Sequence, residues 1–182
     1  MTKRLFFAAL LGVIAACLGS AAAWAQTSPM GGMEMAKPAA APSTSLTIRV
    51  DGKDTTFSVA ELKALPQKTV SVHNEHTKAD ETYSGPSLGD LLAKAGFVAD
   101  KTTQKTMLRS FLRAEGTDKY WVIYSLTEAE ASEHNGDVIV ATSMNGGKDL
   151  GADGELKLVS TEDKKPQRWV RNLTAITLTT VE

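Results

Sequence analysis

Leu46, Ile48 and Val50 alternate with Thr47 and Arg49, the two-residue period of a strand with one buried face. Asp51-Gly52 supplies a tight turn, and residues 55–57 return as a second short strand. There the pattern changes. Ser58 stands three residues before Glu61, the spacing at which a side-chain oxygen caps a helix and a carboxylate reaches back. A helix is expected from there to about Leu65, stopped by Pro66. Strands are expected over 69–73 and 81–84. A second helix opens at 87–90, with Leu88, Leu91, Leu92 and Ala95 on one face and Gly96 to close it. Residues 107–114 and 120–124 read as a hairpin around the polar stretch 115–119. Ser125 and Glu128 then repeat the capping spacing before a third short helix. Strands over 137–142 and 155–159 flank the turn Asn145-Gly146-Gly147, and a long strand over 168–181, bent or bulged, closes the chain. The expected fold class is α+β: a mixed, largely antiparallel sheet with three short helices.

The first 45 residues follow a different logic. Lys3 and Arg4 precede an apolar stretch over 5–18 and a small-residue run ending Ala23-Trp24-Ala25, the layout of a secretory signal cut after Ala25. The protein is therefore expected in the periplasm or secreted. Ile14-Ala15-Ala16-Cys17 offers a second reading, lipid anchoring through Cys17, but apolar and small residues continue past it and simple cleavage is preferred. Residues 26–45, rich in Pro, Ala, Gly and Ser, read as a flexible linker. Met30, Met33 and Met35 within it are soft thioethers that suit Cu(I), against the plainer reading of a linker. One domain over 46–182 remains.

Charge and composition narrow its partners. The chain carries 20 Lys and Arg against 21 Asp and Glu, which argues against nucleic acid. No apolar run beyond residue 25 is long enough for a membrane span. Cys17 is the single cysteine, so a chain cut after Ala25 has no thiol for a disulfide, a zinc site or an iron–sulfur cluster.

Two segments concentrate chemistry. His73 and His76 bracket Asn74 and Glu75, with Asp80 close by, and imidazoles and carboxylates are good transition-metal ligands. In a continuing strand the two histidines point to opposite faces, so they converge only if the chain turns near Asn74; otherwise the segment is a solvated loop. The second segment, Lys164, Lys165, Arg168 and Arg171 around Trp169, has the guanidinium forks that hold phosphate or another anion, or else is a basic turn beside a packed indole. No Ser-His-Asp motif and no phosphate-binding glycine loop is present.

The order of motifs carries a resemblance. Gly85-Pro86-Ser87-Leu88-Gly89-Asp90-Leu91-Leu92, the tyrosine-bearing hairpin feeding Ser125-Leu126-Thr127-Glu128, Val138-Ile139-Val140-Ala141, the turn from Gly147 to Leu150, Leu156-Lys157-Leu158-Val159 and Arg168-Trp169-Val170 follow one another. So arranged, residues 46–181 resemble the oxidoreductase molybdopterin-binding domain, the sulfite oxidase fold, in a short exported form. The resemblance implies a domain cradling a molybdopterin, with a protein cysteine thiolate on molybdenum at the end of the strand before the Gly85–Leu92 motif. Here that place holds Val72-His73-Asn74-Glu75-His76, and both the thiolate and the arginines that follow it in the family are missing. Arg168 matches the basic residue that approaches the pterin phosphate. The candidate cofactor contacts are Arg168, Arg171 and Asn74, and the candidate metal ligands are His73 and His76. Three readings stay open: a molybdopterin-type oxidoreductase with a small-molecule or anion substrate and a redox partner protein, a module binding another transition metal or an anion, and an interaction domain with no cofactor.

Overall fold

The computed structural model describes residues 41–131 and 133–182. The segment expected to be a signal, with Cys17, and Met30, Met33 and Met35 lie outside the described residues. The first strand, β1 (Ser45–Val50), pairs antiparallel with β2 (Lys53–Ser58) through Asp51-Gly52, both at positive φ (49° and 77°), as a two-residue hairpin turn requires. Helix α1 (Val59–Ala64) begins with the expected reciprocal cap: Glu61 N donates to Ser58 Oγ (3.2 Å) and Ser58 N donates to Glu61 Oε2 (2.7 Å). Leu65, before Pro66, is extended and ends it. Strands β3 (Lys68–Asn74) and β4 (Ala79–Gly85) form a hairpin in register from Lys68↔Gly85 to Asn74↔Ala79. Helix α2 (Leu88–Lys94) is capped by Ser87 and buries Leu88, Leu91 and Leu92. A short helix, α3 (Gln104–Met107), leads to the hairpin of β5 (Ser110–Gly116) and β6 (Trp121–Ser125). Helix α4 (Leu126–Ala129) follows with its own capping box, then β7 (Val138–Ala141), β8 (Ser143–Met144), β9 (Lys157–Ser160) and β10 (Leu173–Thr180).

The α+β class and its mixed character hold, with corrections of detail. The strands divide into a five-stranded sheet ordered β2-β1-β10-β5-β6, a three-stranded sheet β3-β4-β8 and the pair β7-β9. Only β1 with β10 is parallel among these pairs. Four α-helices stand among the described residues where three were expected, α3 being the addition. The closing strand starts at Leu173, bulges between Leu173 and Ala175, and is preceded by a 3₁₀ turn over Pro166–Arg168.

Strand β7 is buried on both faces and divides two cores. Val138 and Val140 pack with α2, α4 and the inner face of the five-stranded sheet, whereas Ile139 and Ala141 pack with Val70, Val72, Tyr83 and Trp169. Gly85 permits the crossing of β4 over β7: a Cβ there would lie 2.0 Å from the Val140 carbonyl oxygen. Val140 N donates to Pro86 O and Thr142 N to Ser84 O, so β4 is pinned with Tyr83 facing the smaller core.

Candidate functional site

A cleft of about 420 Å3 opens between the tip of the β3–β4 hairpin and the segment from Asp153 to Arg171. The burial pattern of β3 turns Val70, Val72 and Asn74 inward and His73 outward, and that of β4 turns Glu81 and Tyr83 inward. Strand β9 brings Lys157 in from the opposite side. At 4% exposure it is an uncommon burial for a lysine and is tolerated only with partners. Its Nζ donates to Asp153 Oδ2 (2.6 Å) and Tyr83 Oη (2.8 Å), and stands 4.6 Å and 5.2 Å from the ring centroids of Tyr83 and Trp169. The two rings meet edge to face at 5.9 Å, and Trp169 is held by its Nε1 donating to Ser160 O (3.1 Å).

From Tyr83 the network runs to the hairpin tip. The phenol donates to Glu81 Oε2 (2.6 Å), which also accepts from Asn74 Nδ2 (2.8 Å), while Thr77 Oγ1 donates to Glu81 Oε1 (2.9 Å). Asn74 Oδ1 accepts from the backbone N–H groups of His76 (3.0 Å) and Thr77 (3.4 Å), closing the turn. Burial pushes the Glu81 carboxyl up, but the bonds from Tyr83, Asn74 and Thr77 and the charge of Lys157 outweigh it and hold the group below its ordinary value. Burial, then the bond to Glu81, pushes the Tyr83 phenol above its ordinary value. The floor is thus one hydrogen-bonded chain from Asp153 through Lys157 and Tyr83 to Glu81. Tyr120, Met144, Pro166 and Gln167 complete the walls, with His76, Asp118 and Arg171 beside them.

Of the residues singled out from the sequence, Asn74, His76 and Arg171 line this one cleft; His73 and Arg168 do not. His73 is exposed on β3, with Nδ1 2.7 Å from Asp80 Oδ1 and Nε2 4.0 Å from Glu75 Oε1. Among the described residues, no three His, Cys, Asp or Glu side chains gather in a metal-holding group. Arg171 Nε lies 3.9 Å from Asp153 Oδ1. Arg168 is bound by carboxylates. Its Nε donates to Asp163 Oδ1 (3.0 Å), Nη1 and Nη2 donate to Glu128 Oε1 (both 3.0 Å), Nη2 also pairs with Asp163, and its Cζ lies 4.4 Å from the Tyr124 ring centroid. Burial lowers the affinity of this guanidinium for its proton, but the bonds it donates to Asp163 and Glu128 more than restore it. Glu128 also accepts from Ser125 N (2.8 Å), so one carboxylate caps α4 and anchors the 3₁₀ turn.

Glu81, Tyr83, Asp153 and Lys157 were not anticipated. Lys157 carried a signal, a lone cation in the apolar run Leu156-Lys157-Leu158-Val159. Tyr83 lies 74 residues from it, and nothing local joins the two.

The side chains at the end of β3 do not fit a molybdenum bound through a protein thiolate. Asn74, the inward residue there, has its amide spent on Glu81 and on the turn, and the facing group is an ammonium rather than a soft donor.

No family model matches the chain, and no curated protein matches it. Among solved structures, the sulfane dehydrogenase SoxCD from Paracoccus pantotrophus superposes on it with a TM-score of 0.58 at 20% identity. The match covers 76% of this chain and 39% of that one, so the chain spans about two fifths of its structural relative. The likeness is one of fold: this domain has the architecture found in part of an oxidoreductase.

Proposed function

We propose that the protein is an exported, non-catalytic binding module on a sulfite oxidase-like scaffold, whose cleft takes a small neutral or cationic organic molecule. The observation that carries this reading is the floor network Asp153–Lys157–Tyr83–Glu81. It presents charges already answered by one another and no thiolate. Three carboxylates (Glu81, Asp118, Asp153) and two cations (Lys157, Arg171) stand in the lining, a balance that does not favour a phosphate or sulfate. Aromatic and thioether walls with a few convergent polar groups, in a volume of about 420 Å3, suit a compact organic ligand. Export is supported by the layout of residues 1–25.

The test is thermal unfolding of the full chain against a panel of small amines, polyols, phosphate and sulfate, beside molybdenum and pterin analysis of protein from the exported fraction of a native-like host. Dose-dependent stabilisation by amines or polyols, without molybdenum, is expected. Stabilisation by the anions alone would overturn the ligand class. The fold likeness favours a second reading, a molybdopterin held without a protein thiolate, and near-stoichiometric molybdenum and pterin would establish it instead.

A further inference from the structure

Strand β6 is the last strand of the five-stranded sheet among the described residues. Its inner face carries Val122 and Tyr124, and its outer face carries Trp121 and Ile123, 49% and 45% exposed, unusual for side chains of this size. The hydrogen-bond parity of the edge follows from the hairpin. Gly116 N donates to Tyr120 O (2.9 Å), and Val122 and Tyr124 lie opposite Ala114 and Leu112. In an antiparallel ladder bonded pairs alternate with unbonded ones, so Tyr120 O and the backbone groups of Val122 and Tyr124 are spent on β5, while Tyr120 N donates to Asp118 Oδ1 (3.0 Å). Trp121, Ile123 and Ser125 direct theirs outward. Ser125 N is already taken by Glu128 Oε2 (2.8 Å), which leaves the N–H and C=O of Trp121 and Ile123 as the edge with no partner among the described residues.

We propose that this edge pairs with its own counterpart in a second copy of the chain, β6 against β6 antiparallel, about a two-fold axis at Val122. Parity selects that register. It sets Trp121 against Ile123 of the second copy and Ile123 against Trp121, so all four open groups of each strand are satisfied by four inter-chain hydrogen bonds. The same register makes two aromatic–β-branched cross-strand pairs on the outer face. Each indole keeps Arg113 of its own chain 4.9 Å from its ring centroid, and a groove of about 410 Å3 beside Ile123, lined by Leu108, Phe111 and Val181 with Arg109 and Glu182, adjoins the paired strands. An axis at Ile123 would instead set Trp121 against Ser125, whose N–H is spent. Charge permits the approach: Arg113, behind Ile123, is paired with Glu115 (2.9 Å), and Glu115 also receives Lys119 (3.4 Å). The apolar surface on offer is on the order of half the ~800 Å2 per partner that a stable interface buries, so the dimer is a weak, reversible one.

Sedimentation velocity of the full chain tests this over about 10 μM to 1 mM, the range in which a weak, reversible dimer becomes populated. The mass should rise from the monomer value toward twice it, and Ile123→Lys should remain monomeric throughout with an unchanged thermal transition. In a Cys17→Ser background, mixed Trp121→Cys and Ile123→Cys chains should form the cross-species disulfide in preference to either self-pair. A wild-type chain monomeric at the highest concentration, or an Ile123→Lys chain that still dimerises, would overturn the proposal. Disulfides confined to the self-pairs would overturn the register.

Discussion

Lys157→Met tests whether the cleft floor is held by charge. Methionine keeps the unbranched stem of Lys157 between Tyr83 and Trp169 but removes the ammonium, leaving Asp153 Oδ2 and Tyr83 Oη without their donor. Removing one partner of a fully buried pair costs about 3–5 kcal/mol. Two features of the site reduce that figure. The Asp153 side chain is 22% exposed, so water re-solvates one of its edges. Tyr83 still donates to Glu81, so its hydroxyl keeps one good bond. The lost cation–π contacts are offset in part by sulfur over the same rings, worth about 0.3–1.5 kcal/mol. The expected loss is about 2–3 kcal/mol, or about 6–9 °C in the midpoint at roughly 3 °C per kcal/mol for a domain of this size. Urea unfolding followed by far-UV circular dichroism measures it, with an unchanged m-value as the sign that only stability moved. Adding Asp153→Asn should recover part of the loss, because the half-buried acid no longer lacks its counter-ion. A Lys157→Met chain within about 0.5 kcal/mol of the parent would refute the reasoning, since surface substitutions alone produce that much.

Two further outcomes follow from the carboxylates. Arg168→Met removes the bridge from the 3₁₀ turn to the capped start of α4 and should cost about 2 kcal/mol by urea unfolding, while leaving the response to a cleft ligand in place, because Arg168 is outside the lining. Glu130 is raised above its ordinary value, first by burial and then by Asp90 and Glu133. Its charged form is therefore less stable folded than unfolded. Glu130→Gln should stabilise the domain at pH 7, and the gain should fade as the pH falls through the raised value and vanish below the unfolded value of about 4.3; a gain that persists there would contradict the assignment.

Local chemistry made most of the elements legible. Ser58 with Glu61 and Ser125 with Glu128 announce helices because the capping bonds span three residues, and both form. Helix α3 left no such mark: Thr103 makes no side-chain cap, and Met107 is its one buried residue, too few for a period. The closing strand was extended too far because its apolar positions run on through Trp169 and Val170. Pro166 begins a 3₁₀ turn and Asn172 takes a positive φ of 48°, so the ladder to β5 starts only at Leu173. The division into three sheets depends on pairings between distant residues, such as Tyr83 with Met144, which no local pattern encodes. The same holds for the site. Asn74, His76 and Arg171 stood out as polar groups in unusual company, but the cleft's centre is a lysine whose partners are an acid four residues before it and a tyrosine on another sheet.

The end of β3 shows how the residues of this chain depart from a site built around a protein thiolate. A side chain that faces the cleft from the last turn of β3 must stand at position 74, because the pleat sends 73 to solvent. Asparagine there makes three bonds, one donated to Glu81 and two accepted from the turn, and a thiolate has no N–H to give to Glu81. Glu81 in turn keeps its charge because Asn74, Thr77 and Tyr83 all donate to it, and Tyr83 is set by the Lys157 ammonium. A ligand cysteine at this position would thus disturb the acid, the phenol and the lysine together. The tip of the hairpin is coupled to a charge-compensated floor, and that coupling is the observation behind the proposed reading of the cleft as a binding site.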